Sequence, residues 1–415
     1  MAAIDGGGTL PPVMGVAAEL VRRGHRVRVL ADPTAEEATR AAGCAFSAWR
    51  TAPHVSSLAE QTDLIADLER GSPLRQLREV RLRLLAGPAG LFARDLLDTV
   101  ADHPADALLV EGMVPGIVVG AEASRLPFAA LLANVYVRPT PGLPPFGTGW
   151  SPGQGRLGQG RDAVARYAMR RAVGGMTPHL NAVRASYGLD PVEGMFEMLD
   201  HAPRVLVLTS PSFDFATPHL PPNVRYVGPQ LDDPSWAGDW QDTADQTHPL
   251  VLVALSSIYQ NQTQTLTRIA AALGRLPVRG LVTTGRAVSP GAVSAPANVR
   301  VVQTAPHGQV LPRAAAVVTH AGHGTVLKTL AAGVPLVCLP MGRDQKDNTV
   351  RVLRLGAGVR VDRSAPPERI AAAVLSVFED PQYGRAARAF AEVLAEEART
   401  GRSAADEAEA LVGAG

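Results

Sequence analysis

The sequence predicts an α/β protein built from two Rossmann-like, doubly wound parallel-sheet domains facing each other across a cleft. Three observations lead there. Short apolar runs alternate with amphipathic segments along both halves of the chain, a breaker-rich stretch divides the halves, and a glycine turn joins the first apolar run to the first helix. At 415 residues the chain is also longer than one ordinary core, so two domains are expected.

The first half opens with Ala2-Ala3-Ile4, a run very short for a strand, before the turn Asp5-Gly6-Gly7-Gly8-Thr9-Leu10-Pro11-Pro12. A helix follows, with Val13, Val16, Ala17, Leu20 and Val21 on one face and Gly24 at its end, and then a strand at Arg26–Leu30. Strand, glycine turn, helix, strand is the βαβ unit of a parallel sheet. Further strands are expected at Ala107–Val110, Phe128–Leu132 and Arg204–Leu208, with a helix from Ile117 to Leu126. Between Tyr136 and Gly160 the chain is dense in Pro and Gly, as in lids and binding walls.

Residues 218–240 carry Pro221-Pro222, Gly228-Pro229 and Asp233-Pro234, and read as a linker. That gives a first domain over 1–217 and a second over 241–385. In the second, strands are expected at Leu250–Leu255, Arg279–Thr283, Val299–Val302, Ala316–Thr319 and Leu336–Leu339, and a helix at Gln264–Leu273. The stretch 386–415 is rich in Ala, Glu and Arg and reads as one long helical segment, packing back on the first domain.

Composition narrows the function. Apolar residues at 46% and charged residues at 19% describe a globular chain, and a net charge of +1 provides no broad basic field for nucleic acid or an anionic membrane. With no run of about 18 apolar residues and no secretory leader, the expected location is the cytoplasm. Cys44 and Cys338 sit in or near apolar stretches and read as buried, reduced thiols, without metal-ligand spacing. Lys328 and Lys346 are the only lysines, which together with abundant Ala, Gly and Pro suggests a GC-rich genome.

The chemistry concentrates in Thr319-His320-Ala321-Gly322-His323-Gly324-Thr325. A strand ending at His320, glycines on both sides of His323 and a helix starting near Thr325 make an anion site. Backbone N–H groups close on an oxygen-rich ligand, and the helix start adds unpaired donors and partial positive charge. One βα unit onward comes Pro340-Met341-Gly342-Arg343-Asp344-Gln345-Lys346-Asp347-Asn348, where a carboxylate and a carboxamide suit sugar hydroxyls. Phosphate and hydroxyl recognition at adjacent strand ends suit a nucleotide sugar.

The span from His320 to Asn348 resembles the donor signature of the inverting UDP-glycosyltransferase family, in particular its actinobacterial members that decorate polyketides and related antibiotics. The resemblance extends over most of the chain, including the Gly-rich start and Leu255-Ser256-Ser257-Ile258-Tyr259-Gln260, and is most specific in the last third. It implies the GT-B arrangement, with an acceptor-binding first domain and a nucleotide-sugar-binding second. It places His320, His323, Gly322, Gly324 and Thr325, with Ser256 or Ser257, at the phosphates. Asp344 and Gln345 would read the sugar, and the nucleobase would lie near Thr304, Ala305 and His307. It further implies no cofactor and no metal, the helix start and histidines taking the cation's role. The partners it implies are a nucleotide-sugar donor, with dTDP favoured over UDP, and an apolar small-molecule acceptor, in a monomer or homodimer.

Three departures fall on this pattern. Many members carry a histidine base in the first glycine turn, where this chain has Thr9, and threonine is no base near neutral pH. The partner aspartate falls on Glu111. Glu111 itself, Asp5 or His54 could serve as base, or the acceptor could be acidic enough to need little help. Thr304 stands where members often stack a tryptophan on the base. Among rival readings, a dinucleotide-binding oxidoreductase fails on spacing, since Pro11 occupies the third glycine position of the G-x-G-x-x-G fingerprint. A nucleotide-sugar epimerase and a catalytically silent homologue acting as an auxiliary protein are the alternatives.

Overall fold

Strand formation in both halves follows the apolar runs, and every strand pair is parallel. The computed structural model describes residues 1–68, 75, 79–241 and 247–413. The chain divides into two units. The first comprises Met1–Phe146, Pro152–Gln230 and Gly401–Gly415, and the second Gly147–Ser151 with Leu231–Thr400.

In the first unit the helix Leu10–Arg22 starts on prolines in its first turn, where a missing N–H costs nothing. It buries Leu10, Val13, Met14, Val16, Ala17 and Leu20, a stripe at helical spacing. Gly24, at φ 93°, then takes the left-handed turn that ends it. Strands β1 (Arg28–Ala31) and β2 (Ala45–Ala48) pair with each other. A second run orders β3 (Leu108–Glu111), β4 (Phe128–Leu132), β5 (Arg204–Val207) and β6 (Val224–Tyr226). Ala2 bridges both Leu30 in β1 and Val110 in β3 and so joins the two runs. The very short opening run acts as a strand through that one residue. Helix Pro115–Ala123 packs against helix Ala89–Asp102 at close range, since a β-carbon on Gly116 would lie 2.4 Å from the Ala89 carbonyl oxygen.

The second unit holds a six-stranded sheet in the order β12-β11-β10-β7-β8-β9. Its strands are β7 (Leu250–Ala254), β8 (Arg279–Thr283), β9 (Val299–Val302), β10 (Ala314–Thr319), β11 (Leu336–Cys338) and β12 (Gly358–Arg360). Strand alternation sorts the two faces. Val251, Val253 and Val318 meet Leu266, Ile269 and Ile370 from helices Thr263–Leu273 and Pro367–Glu379. Leu250, Leu252 and Val317 meet Val310, Leu311 and Val334 on the other face.

Several expectations are corrected. The stretch read as a linker, 218–240, contains β6, paired to β5, and the units divide inside it, after Gln230. The terminal segment 386–415 is not one long helix. Helix Pro381–Thr400 belongs to the second unit, and Ala404–Val412 belongs to the first. Gly401 and Arg402 break the run, and a Ser403–Asp406 capping box restarts it. The loop expected to reach Gly160 ends earlier, because helix Gly155–Gly174 begins within it. Cys44 and Cys338 are both free and buried, and burial pushes the Cys338 thiol up to about 12. No helix among the described residues is long and apolar enough to cross a membrane.

Candidate active site

Open parallel sheets bind ligands beyond their carboxyl edges, where strand order reverses direction. In the six-stranded sheet that point lies between β10 and β7, which pair with Thr319 beside Ala254. His320 follows the one strand, and Ser256 and Ser257 follow the other.

After β10 the chain turns sharply. Ala321 takes φ 68°, a left-handed conformation uncommon for a residue with a β-carbon, and its N–H is received by the Thr319 hydroxyl at 3.1 Å. Helix His323–Ala331 then begins at Gly322. A β-carbon on Gly322 would lie 2.7 Å from His320 Nε2, so glycine is needed for the ring's position. Beside Gly324 a β-carbon would meet nothing within 4 Å, so the space before the helix start is open. The first N–H groups of that helix have no partner within it and point there. Thr325 is half-buried in the same turn.

His320 is buried, and its Nδ1 has no hydrogen-bond partner among the described residues. Burial holds its pKa down to about 4, opposed by the Asp344 charge and the nearby Ala254 backbone carbonyl, with Arg343 adding least to the lowering. The ring is therefore neutral at pH 7. His323 Nδ1 donates to Asn348 Oδ1 at 3.2 Å, while Asn348 Nδ2 donates to the Ala321 carbonyl at 3.0 Å and to Asp344 Oδ2 at 2.7 Å. Asn348 thus ties the turn after β10 to the carboxylate one βα unit onward. The sequence reading named it without seeing this role.

Asp344 is half-buried, with one oxygen held by Asn348. Gln345 faces inward. Its Oε1 accepts from the N–H groups of Met341 and Gly342 at 2.7 and 2.9 Å, and its Nε2 donates to Gln260 Oε1 at 3.0 Å. Asp344 is the more accessible of the pair. Ser256 is buried and receives the Ile258 N–H at 3.3 Å, and Gln262 holds that loop from inside through the carbonyls of Ser256 and Ile258.

The loops after β7, β8 and β9 are stitched together. Gly285 N–H donates to the Gln303 carbonyl at 2.9 Å, and Arg286 N–H to the Ser257 carbonyl at 3.3 Å. Next come half-buried Thr304 and buried Ala305. His307 has its pKa lowered to about 4, by burial first and then by Lys328, against Asp233. The Arg286 guanidinium lies 5.8 Å from the Trp236 ring centroid, which brings an aromatic residue beside these loops. Sequence reading missed Trp236 because it sits among breakers.

In the first unit the reversal falls between β1 and β3, at the strand end marked by Ala2. Three carboxylates gather there. Ile4 N–H donates to Glu111 Oε2 at 2.9 Å, and Asp5 N–H donates to Asp32 Oδ2 at 2.7 Å. The Asp5 carboxylate is engaged by the Gly7 N–H at 3.1 Å and the Thr34 hydroxyl at 2.8 Å, so it serves the turn itself. Glu111 is buried, and burial raises its pKa to about 7, against the Ile4 hydrogen bond and with the charges of Asp32 and Asp5 adding. The Thr9 hydroxyl is buried with no partner among the described residues. His54 is exposed, its Nδ1 2.9 Å from the Ala52 carbonyl. Among the described residues no cluster of His, Cys, Asp and Glu has the makings of a metal site.

Two open parallel sheets, each with polar residues gathered at its reversal point, and a glycine turn at a helix start linked through Asn348 to the Asp344 carboxylate are the arrangement expected of a sugar transferase of the two-sheet class. Residues 185–394 match the model of the UDP-glucoronosyl and UDP-glucosyl transferase family. The chain is 30% identical over 406 residues to 4'-demethylrebeccamycin synthase of Lentzea aerocolonigenes, covering 92% of each protein. The chain belongs to this family and is a glycosyltransferase. Its fold is that of a calicheamicin glycosyltransferase (TM-score 0.77, 22% identity, covering 99% of this chain and 97% of that one). It also matches the glycosyltransferase VinC, solved with dTDP (TM-score 0.65, 19% identity, covering 100% and 99%).

Proposed function

We propose that the chain transfers a deoxysugar from a dTDP-linked donor to an apolar natural-product acceptor, with inversion and without a metal, giving an O- or C-glycoside. The observation that carries this is the turn after β10, where His320, the open space at Gly324 and the start of helix His323–Ala331 adjoin Asp344 through Asn348. The actinobacterial relative named for rebeccamycin synthesis supports the acceptor class, and the dTDP complex of a fold neighbour supports the nucleotide.

In this reading the donor's phosphates occupy the space before the helix. Negative charge grows on them as the bond from the anomeric carbon to the phosphate oxygen breaks and that oxygen keeps the electron pair. Fixed N–H donors and a neutral His320 stabilise that charge more in the transition state than before it. The acceptor's oxygen or carbon forms the new bond, and its proton passes to Glu111. A carboxylate with a pKa near 7 suits that task, since it is substantially ionised at neutral pH yet basic enough to accept the proton. The unpartnered Thr9 hydroxyl is a hydrogen-bonding group for the acceptor.

Calorimetry with thymidine and uridine diphosphates, without added metal, tests the donor half. Binding of thymidine diphosphate that weakens about tenfold or more in His320→Ala is the expected result. Failure of the wild type to bind either nucleotide would refute the reading and favour a silent auxiliary protein. Turnover in Glu111→Gln tests the acceptor half, with a loss of about a hundredfold expected at unchanged nucleotide affinity.

A further inference from the structure

Asp347 lies two residues beyond Gln345, in the first turn of helix Gln345–Leu355, and is only 4% exposed. Its carboxylate accepts hydrogen bonds from the backbone N–H groups of Gly147 and Gly149, the latter at 2.7 Å. Those donors stand 200 and 198 positions away in sequence. Both glycines are left-handed, at φ 86° and 65°, a conformation that turns neighbouring N–H groups toward one anion. A β-carbon on Gly149 would come within 2.6 Å of the Lys346 β-carbon, so the segment lies directly on the helix start.

The contact is specific in three ways. Burying a carboxylate is costly unless it is hydrogen-bonded, and here the two glycine N–H groups supply the bonds. Glycine is required twice by conformation and once by space. The five residues Gly147–Ser151 group with the second unit, although the chain before and after them belongs to the first. A loop that only connected β4 to helix Gly155–Gly174 would need none of this.

We propose that Asp347 is a positioning residue of the donor site, holding Gly147–Ser151 as a strap that borders the sugar-reading end of helix Gln345–Leu355. The proposal rests on the donor reading above, in which Asp344 meets the sugar. The strap restricts the space for the sugar and leaves the phosphate turn after β10 untouched. Donor-sugar selection then depends on residues remote in sequence from the Asp344-Gln345 pair.

The test uses the full chain and two variants. Asp347→Asn removes the charge at nearly constant shape, and Gly149→Ala keeps the carboxylate but displaces the strap. Thymidine diphosphate binding is measured by calorimetry, kinetic constants with dTDP-glucose, and amide exchange at Gly147 and Gly149 by mass spectrometry. Both variants are expected to raise the dTDP-glucose KM about tenfold, while thymidine diphosphate affinity stays within about twofold. Exchange at Gly147 and Gly149 is expected to quicken in both. Equal weakening of nucleotide and nucleotide sugar would show a merely structural role and overturn the proposal, as would no change in KM. A wild type that binds neither nucleotide overturns the donor reading itself, and is distinguished because the exchange result does not depend on donor. Should Asp347→Asn fail to fold, Gly149→Ala carries the same comparison.

Discussion

Replacing Glu111 by glutamine should make the folded protein more stable at pH 8, apart from the roughly hundredfold loss of turnover expected if it is the base. Glu111 is buried at the end of β3, and its pKa rises from 4.5 to about 7, mainly through burial. The folded chain therefore binds this proton more tightly than the unfolded chain. Between pH 4.5 and 7 the folded state carries more protons at this site, so its stability falls as pH rises through that window. At pH 8 the ionised wild type bears a penalty of about 3 kcal/mol relative to its protonated form. Glutamine stays neutral and its oxygen can still accept the Ile4 N–H. Thermal unfolding of wild type and Glu111→Gln from pH 5 to pH 8 measures the effect. The two should be close at pH 5 and diverge as pH rises, with the variant the more stable. A difference independent of pH would refute the argument, and so would a variant less stable at pH 8. If Glu111 is also the base, the neutral-pH limb of the wild-type rate profile disappears with the same substitution.

Gly322→Ala should weaken thymidine diphosphate binding about tenfold or more, because its β-carbon meets the rigid His320 ring at 2.7 Å; calorimetry reads this. Gly324→Ala points into open space, so unfolding experiments should show stability kept or raised by about 0.5–1 kcal/mol, while nucleotide binding falls because the methyl occupies the phosphates' place. Asn348→Ala strands the partners on His323, Ala321 and Asp344, and urea unfolding should show a loss of about 2–4 kcal/mol. Arg23→Ala removes contacts to Asp406, Glu409 and Ser403, and amide exchange over Ala404–Val412 should quicken, with less difference at high salt.

Strands whose apolar runs are bounded by breakers were legible to the residue, as at Phe128–Leu132, Arg279–Thr283 and Val299–Val302. Missed were β2, β6 and β12, short strands with half-exposed residues whose pairing comes from neighbours and not from their own pattern. The break at Gly401 was hidden by Ala- and Glu-rich composition on both sides, although the Ser403–Asp406 spacing announces a new start. At the donor turn, residue types and spacing showed where an anion would sit. They did not show that Gln345 is saturated by Met341, Gly342 and Gln260, because amide orientation is set by tertiary contacts. The Asp347 contact was illegible for the same reason, its partners lying 200 and 198 positions away.

The last helix carries a consequence for biogenesis. Ala404, Ala405, Ala408 and Leu411 share a core with Val13, Ala17 and Leu20 of the opening helix. During synthesis the first unit therefore waits, with an apolar face uncovered, until the whole second unit has left the ribosome. Truncation after Thr400 would expose that face permanently.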